Sequence, residues 1–521
     1  MSGAAVRAVK RAYWASTIRG SRGRTRVPLV AGAVAAAMVA VVPSAAQAAG
    51  VTRYVDSNPA VCSDTGSGTQ VQPYCTLSKG ISALGAGNTL MVMPGNYTGG
   101  VTIGASYAGT SAQPTTIKSA TPRGAVINAS ATAGITLNKT SFVVVDGFKI
   151  DGTTKEGIGA YSSQNVTIRG NEISHAGSPL MGAVANGIEL SGTTTSTVSG
   201  NYLHDNSNDG IALLSSAGAV PEKSSDNTIS GNTSTNNARG YIRSATGILV
   251  NGDNNRITGN VTANNEDTGI QVSAAGSTAA PASGNFVLSN LSYGNGDHGI
   301  DLSQGPNTSI LGNSIYQNAT AGIDAESNSS GITVVDNISA ENAIDGTRTR
   351  GQIRVDTGSQ AGTTVNSNVV YNSADQPLYT WGTTQYSSIT TFRAASGQGA
   401  ADISGNPKWV SPGTGDFHLT SGSPAIDDAD TTVPGWPNCD KENVCPHNDR
   451  GALEFVPAAA TAPAAPTGVT AQADVASAFV KWTAPDNGGS SITGYTVTGS
   501  PGGTVTVPGS ATSARSSRRC G

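Results

Sequence analysis

Gly299-Ile300-Asp301-Leu302-Ser303 is one version of a short phrase that recurs through the middle of this 521-residue chain. The isoleucines that follow glycine in these phrases, between Gly134 and Asn337, are Ile135, Ile158, Ile188, Ile211, Ile248, Ile270, Ile300 and Ile323. They are 23, 30, 23, 37, 22, 30 and 23 residues apart, so the basic period is 22 to 23 residues with occasional insertions. A fixed period of this length indicates stacked units that bury their apolar faces against one another. Alternation of Ile, Val and Leu with small polar residues is typical of strands.

Each unit carries a second short strand that ends in Gly-Asn. The asparagines of these pairs include Asn171, Asn201, Asn232, Asn260 and Asn313. Stacked side-chain amides hydrogen-bond along a column, and asparagine tolerates the left-handed backbone of a sharp turn. Together the two repeats resemble the right-handed parallel β-helix of extracellular polysaccharide-active proteins, an all-β solenoid. The alternative, a leucine-rich repeat, requires regular leucines that this chain lacks.

The first 48 residues have the features of an export signal. Residues 1–48 combine a basic start, an apolar run of about 14 residues from Leu29 to Val42, and the small-residue cleavage site Ala46-Gln47-Ala48. The apolar run is shorter than the roughly 20 residues of a membrane-spanning helix. We therefore expect a secreted, extracellular protein without a membrane anchor after cleavage.

The distribution of charge along the chain limits the classes of molecule that the protein can bind. The formal net charge is −4, but seven of the 30 basic residues lie in the first 26 positions, which leaves about −11 on the rest. An acidic protein is poorly suited to nucleic acid, because nucleic-acid binding depends on neutralising phosphates. A polyanionic sugar would need a cation as mediator. We expect a monomer whose partner is an extracellular, acidic polysaccharide.

The segments flanking the repeats resemble the caps of secreted β-helices. We expect residues 49–130 to contain the N-terminal cap, with a first strand, a short helix and a Pro-Gly-x-Tyr turn, and the first coils. Residues 131–372 hold the repeats. Residues 373–456 resemble a closing cap with Ser-Pro-Ala-Ile-Asp and Gly-Ala-x-Glu motifs. In an exported protein, paired cysteines predict disulfides. We expect the pairs Cys62–Cys75 and Cys439–Cys445.

The C-terminal end contains a further module. Residues 457–466 form an Ala/Pro-rich linker. Residues 467–521 resemble the first strands of a fibronectin type III module, with Trp482 and the Gly494-Tyr495 strand in the matching places. The segment is too short for the complete β-sandwich, so we expect a truncated module. Cys520 is then the odd cysteine.

Alignment of the units on their isoleucines stacks charged side chains. One predicted column, expected to face outward onto an open surface of the coils, holds Gln271, Asp301, Asp324 and Arg354, and nearby columns add Asp267, Asp297, His298, Glu326 and Arg350. Neighbouring strands are about 4.8 Å apart, and carboxylates stacked at that distance need a proton or a cation between them. A charge cluster that the fold does not require is a functional candidate. Glu189 and Asp209 are expected at exposed positions that extend a sugar-binding groove.

The segment Asp297-His298-Gly299-Ile300-Asp301-Leu302 resembles the calcium-binding Asp-Asp-Gly-x-Asp-Leu segment of the family-nine pectate lyases, with His298 in place of the middle acid. The resemblance implies a Ca²⁺ ion held by Asp297 and Asp301, to which the adjacent Asp324 adds a third carboxylate. That family's catalytic lysine corresponds to Asp324, and the Asp-Pro-His motif of the uronan C5-epimerases is absent from the chain.

These observations predict a calcium-assisted lyase that cleaves a uronic-acid-containing polysaccharide by β-elimination. Elimination needs a cation on the uronate carboxylate, a base and an acid; we expect Arg354 or His298 as base, and Asp324 in the catalytic set. Substrate contacts are expected from Asp267, Gln271, Glu326 and Arg350. Three alternatives remain open: a glycoside hydrolase using Asp301 and Asp324 as paired carboxylates, a uronan C5-epimerase, and a non-catalytic carbohydrate-binding or adhesive protein.

Overall fold

The computed structural model of the protein describes residues 50–129, 132–177, 184–217, 222–241, 244–274, 280–346, 348–374, 376–457, 461–500 and 503–517. The predicted export signal, residues 1–48, and Cys520 lie outside the described residues, so both remain predictions. Most of the described chain winds into three long sheets of 12 strands each, and each turn between the first and last coils adds one strand to each sheet.

Sheet 1 contains the repeated isoleucines. Its strands are Val101–Ile103, Ile135–Asn138, Ile158–Tyr161, Ile188–Ser191, Ile211–Leu214, Ile248–Val250, Ile270–Ser273, Ile300–Ser303, Ile323–Glu326, Ile353–Val355, Tyr379–Trp381 and Thr384–Tyr386. All its neighbouring strands pair in parallel except the last two, which are antiparallel.

The other two sheets follow sheet 1 within each coil. The strands of sheet 2 are Thr52–Val55, Thr89–Val92, Thr115–Ser119, Val143–Asp146, Thr167–Arg169, Thr197–Ser199, Thr228–Ser230, Arg256–Thr258, Phe286–Leu288, Ser309–Leu311, Thr333–Val335 and Thr364–Asn366. The strands of sheet 3 are Gly95–Thr98, Ala125–Asn128, Lys149–Asp151, Glu172–Ser174, Tyr202–His204, Thr233–Thr235, Val261–Ala263, Leu291–Tyr293, Ser314–Tyr316, Ile338–Ala340, Val369–Tyr371 and Ile403–Ser404. The predicted all-β, right-handed parallel β-helix is confirmed. Its coils run from Thr52 to Ser404, so they extend beyond residues 131–372 at both ends.

The repeated isoleucines form a single file inside the helix. Each of the eight pairs with the next in the parallel register, and each is fully buried. They pack with the inward residues of the other two sheets into one continuous apolar core. Because every coil adds to this core, a side chain at a given offset from the isoleucine stacks on its counterparts in neighbouring coils.

Asparagine ladders fix the turns between the sheets. Between sheets 2 and 3, each side-chain amide donates to the next along a file made of Asn171, Asn201, Asn232, Asn260, Asn290, Asn313, Asn337 and Asn368. The predicted amide column is therefore confirmed. Two further ladders were not predicted: one between sheets 3 and 1, from Asn206 to Asn342, and a shorter one from Asn227 to Asn285. The ladders hold the turns in one repeated geometry.

Two short helices lie at the ends of the apolar core. The helix Leu77–Ser82 buries Leu77 and Ile81 in the core beside the first coils. The helix Ile389–Ser396 places Phe392 face to face with Tyr379, with ring centroids 3.9 Å apart, at the other end. Three 3-10 turns occur at Ala105–Tyr107, Thr357–Ser359 and Pro412–Thr414. Among the described residues, none of the helices has the length and apolar character needed to cross a membrane.

The later part of the segment predicted to close the β-helix runs along its side. The hairpin Trp409–Ser411 and Asp416–Leu419 packs on sheet 3, and further on the Gly451 N–H donates to the Asp336 carbonyl oxygen at 2.8 Å. Both predicted disulfides, Cys62–Cys75 and Cys439–Cys445, are formed.

The C-terminal residues form two small antiparallel sheets. One contains Thr467–Asp474, Ser477–Thr483 and Ser513–Ser517, and the other contains Gly494–Thr498 and Thr504–Pro508. Trp482 of the first packs on Tyr495 of the second, with ring centroids 5.0 Å apart. The assignment of this unit to the fibronectin type III class stays a prediction.

Candidate active site

Sheet 1 aligns the predicted column in register. Gln271, Asp301, Asp324 and Arg354 pair in succession on adjacent strands, as the isoleucine alignment requires. The expectation that this column is open to solvent is wrong, because Asp301 is 3 % exposed and Asp324 is fully buried. The column lies outside the apolar core but is covered by the side chains around it.

Part of the cover comes from an insertion in the turn before Ile353. Within it, the Arg348 guanidinium donates to the Asp297 carboxylate at 2.6 Å, and the Thr349 hydroxyl lies 3.5 Å from His298 Nε2. Sequence reasoning missed Arg348, because the insertion has no counterpart in the adjacent coils against which to align it. The signal that was available is the pair of arginines two residues apart in a chain with few charges.

His298 lies at the centre of the cluster. Its Nε2 is 3.2 Å from an Asp324 oxygen and 3.6 Å from an Asp297 oxygen, and its Nδ1 is 2.8 Å from the Thr320 hydroxyl. Burial lowers the pKa of His298, but the surrounding carboxylates, Asp324 first, raise it more, so the net pKa lies above its ordinary value. The ring is therefore a proton donor held among acids.

Asp301 differs from the other acids because one of its oxygens has no partner. Oδ2 accepts a hydrogen bond from Gln271 Nε2 at 2.8 Å, whereas Oδ1 is buried without a hydrogen-bond partner. Burial raises the pKa of Asp301 to about 7; His298 opposes the rise and Asp324 adds to it. A buried carboxylate oxygen without a hydrogen-bond partner lowers the free energy of unfolding, so Asp301 Oδ1 does not contribute to the stability of the fold.

Arg354 neutralises Asp324. One guanidinium nitrogen lies 2.5 and 2.6 Å from the two Asp324 oxygens and 3.1 Å from Glu326. Burial lowers the pKa of Arg354, but the interaction with Asp324 raises it more, so the net pKa lies above its already high ordinary value. This ion pair disfavours the predicted role of Arg354 as a base and favours a role as a fixed cation.

Asp267 and Arg350 lie at the edge of the cluster. Burial, followed by the neighbouring Asp297 carboxylate, raises the pKa of Asp267 to about 7. Arg350 contributes its backbone carbonyl to the Thr380 hydroxyl at 2.7 Å, and within the described part of the chain its guanidinium forms no ion pair. Asp267 is thus a carboxyl group that binds a proton near neutral pH, and Arg350 is available to a ligand.

The donor set does not fit the predicted calcium ion. The side chains whose ligand atoms lie within 4.8 Å of one another are His298, Asp301 and Asp324, so an imidazole replaces the expected carboxylate of Asp297. Calcium takes six to eight oxygen ligands. Both oxygens of Asp324 are bound to Arg354, and Asp297 is bound to Arg348 and Thr320. The carboxylates are neutralised by side chains of the protein.

A second group of acids lies on earlier coils of the same face. Glu189 occupies the Asp301 position of its own strand, and Asp209 precedes the next strand. The expectation that Asp209 is exposed is wrong: it is 4 % exposed and accepts hydrogen bonds from the Thr246 N–H and hydroxyl. Burial raises the pKa of Glu189 to about 7 and that of Asp209 to about 6.

The fold and this cluster define a right-handed parallel β-helix with a buried group of acids and bases on one sheet. Residues 76–222 and 218–392 match the family model described as right handed beta helix region, and the chain belongs to this family. A curated relative, the uncharacterized protein YwoF of Bacillus subtilis (strain 168), is 25% identical over 439 residues, which cover 70% of this chain and 90% of that protein.

Two solved structures are also similar. The pectate lyase Pel9A shares 17% identity with a TM-score of 0.49, over 78% of this chain and 96% of that one. The A-module of the mannuronan C-5 epimerase AlgE4 of Azotobacter vinelandii shares 16% identity with a TM-score of 0.47, over 63% of this chain and 95% of that one.

Proposed function

We propose that the protein is a polysaccharide-active enzyme that removes the proton next to the carboxylate of a uronic acid unit, and that it cleaves the chain by β-elimination. The observation that carries this proposal is Asp301, a buried carboxylate with a free oxygen and a pKa raised to about 7. A general base works best when its pKa lies near the working pH.

The residues around Asp301 supply the other parts of the reaction. Asp301 Oδ1 takes the proton from C5 of the uronate, the electron pair forms the C4–C5 double bond, and the C4–O4 bond breaks. The leaving O4 accepts a proton from His298, whose pKa is raised by the neighbouring carboxylates. Gln271, which donates to the other oxygen of Asp301 at 2.8 Å, fixes the orientation of the base.

Arginines provide the recognition of an anionic sugar. Arg348 is half exposed and is bound to Asp297 at 2.6 Å, so a substrate carboxylate can take the place of Asp297 on its guanidinium. Arg350 lies two residues further along the same insertion. The exchange at Arg348 would also uncover His298, which is in contact with Asp297.

The alternatives differ in the step after proton removal. A C5-epimerase returns a proton to the opposite face of C5 and leaves the C4–O4 bond intact. A hydrolase would use the Asp301–Asp324 pair without proton removal at C5. Calcium assistance, expected from the sequence, requires that a metal displace Arg354 from Asp324 or Arg348 from Asp297. A chelator would then abolish activity, whereas activity that depends on the two arginines alone would survive chelation.

The test measures absorbance near 235 nm, where the unsaturated uronate product absorbs. Purified protein is incubated with pectate, alginate, glucuronan or glycosaminoglycans, with calcium or with a chelator. We expect a rise on one polymer that a chelator leaves unchanged and that Asp301→Asn abolishes. A rise that needs calcium would restore the calcium-assisted mechanism. If absorbance and reducing ends both stay constant on every polymer, cleavage is refuted, and exchange of the C5 proton with solvent then tests the epimerase.

A further inference from the structure

A pocket of about 230 Å³ lies on a different face of the molecule from the site on sheet 1, where sheet 3 meets the hairpin that packs on its side. Three aromatic residues contribute to its walls: Tyr316 and Tyr371 from sheet 3, and Trp409 from the hairpin. The carboxylate of Glu341 also lines it. Its residues are absent from the mechanism proposed above.

The register of sheet 3 places two tyrosines along one wall of the pocket. Tyr316, Ala340 and Tyr371 pair in succession on three adjacent strands, and Ala340, between the tyrosines, is 1 % exposed because it packs with the hairpin. Adjacent strands are about 4.8 Å apart, so the two tyrosines start roughly 10 Å apart. Both tyrosines are half-buried and line the pocket, so each offers a flat apolar face against which a ring-shaped ligand can stack.

The polar groups of the pocket indicate which kind of ring fits. Glu341 is held in place by the N–H and the hydroxyl of Ser373, each at 3.1 Å. Trp409 is 9 % exposed, and its indole N–H is buried without a hydrogen-bond partner. The lining thus offers an acceptor and an unpaired donor, and it contains a carboxylate but no basic side chain.

From these features we infer that the pocket binds one neutral pyranose unit of a polysaccharide. The apolar faces of the sugar ring lie against the two tyrosines, a hydroxyl donates to Glu341, and a sugar oxygen accepts from Trp409. A uronate is disfavoured because Glu341 would repel its carboxylate. Tyr316 also packs within the protein, since its ring meets the Trp409 ring edge to face at 5.7 Å.

The test is isothermal titration calorimetry with hexasaccharides of glucose, mannose, galactose and xylose. The full-length protein carries Asp301→Asn throughout, so that turnover at sheet 1 does not contribute heat. We expect saturable binding of at least one hexasaccharide, weakened at least tenfold by Tyr371→Ala. Glu341→Ala, which removes the carboxylate acceptor from the pocket, should weaken it as well. Tyr202→Ala, a tyrosine of the same sheet that stacks on His204 away from the pocket, is the matched control and should bind normally.

Two results would overturn the inference. One is the absence of binding to all four sugars. The other is binding that both Tyr371→Ala and Glu341→Ala leave intact, which would place the sugar elsewhere. Because the measurement does not involve elimination, a negative result here leaves the proposed reaction untouched, and inactivity in the absorbance assay leaves this pocket untouched.

Discussion

Replacing Asp301 by asparagine should stabilise the protein and abolish its activity. Asparagine has the shape of the protonated acid and keeps an oxygen to accept the Gln271 N–H, but it cannot take a proton from substrate. An unfolded aspartate has a pKa of about 3.9, and burial raises the folded value to about 7. The folded state therefore holds the proton more tightly, and the wild type loses stability as pH rises from about 4 through about 7.

The size of the effect follows from the same values. At pH 8 the ionised Asp301 lowers the free energy of unfolding by about 4 kcal/mol relative to its protonated form, whereas near pH 4 the penalty is below about 1 kcal/mol. Asp301→Asn should thus exceed the wild type in stability by an amount that grows with pH over this range.

Urea unfolding followed by circular dichroism, at pH 5, 6.5 and 8, measures this difference. Asp226→Asn is the control, because Asp226 is an exposed aspartate whose positive φ asparagine tolerates, and its stability should match the wild type at each pH. A variant no more stable than wild type at pH 8 would refute the assigned environment of Asp301. Retained turnover would refute its role as base.

Three further predictions concern stability and binding. Asn260→Ala removes four hydrogen bonds from the ladder and should lower the free energy of unfolding, measured in urea, by about 3 to 4 kcal/mol. The control Asn96→Ala, at an exposed asparagine, should lower it by about 0.5 kcal/mol or less. Equal losses in the two variants would contradict a stabilising role of the ladder. Arg354→Met leaves the buried Asp324 with His298 as its remaining cationic partner and should cost about 3 kcal/mol. The double variant with Asp324→Asn should recover most of that loss, and purely additive losses would show that the two side chains are not coupled. Arg348→Ala should change the free energy of unfolding by less than about 1 kcal/mol, because the ion pair between Arg348 and Asp297 is partly exposed. The same variant should raise KM for the uronate polymer at least tenfold. An unchanged KM would remove Arg348 from the substrate site.

The sequence was sufficient to predict the coil register but not the surroundings of the side chains. The Gly-Ile repeat placed Gln271, Asp301, Asp324 and Arg354 on adjacent strands, because one strand per coil leaves a single alignment. The ladder from Asn206 to Asn342 could also have been predicted, because its members lie five residues after those of the first ladder, as Asn206 follows Asn201. Burial of the column was not predictable, because it depends on an insertion whose path has no repeat to follow.

The charge balance of the cluster explains why acids can be stacked there without a metal. The carboxylates of Asp297, Asp324 and Glu326 face the side chains of His298, Arg348 and Arg354. Three negative charges then meet three positive ones. An arriving uronate adds a fourth negative charge, and its exchange with Asp297 on Arg348 would give that charge a partner. Asp301 can remove the C5 proton only when its carboxylate is ionised. Because its pKa is about 7, the ionised fraction grows as pH rises through that value, and under the proposed mechanism turnover should rise over the same range.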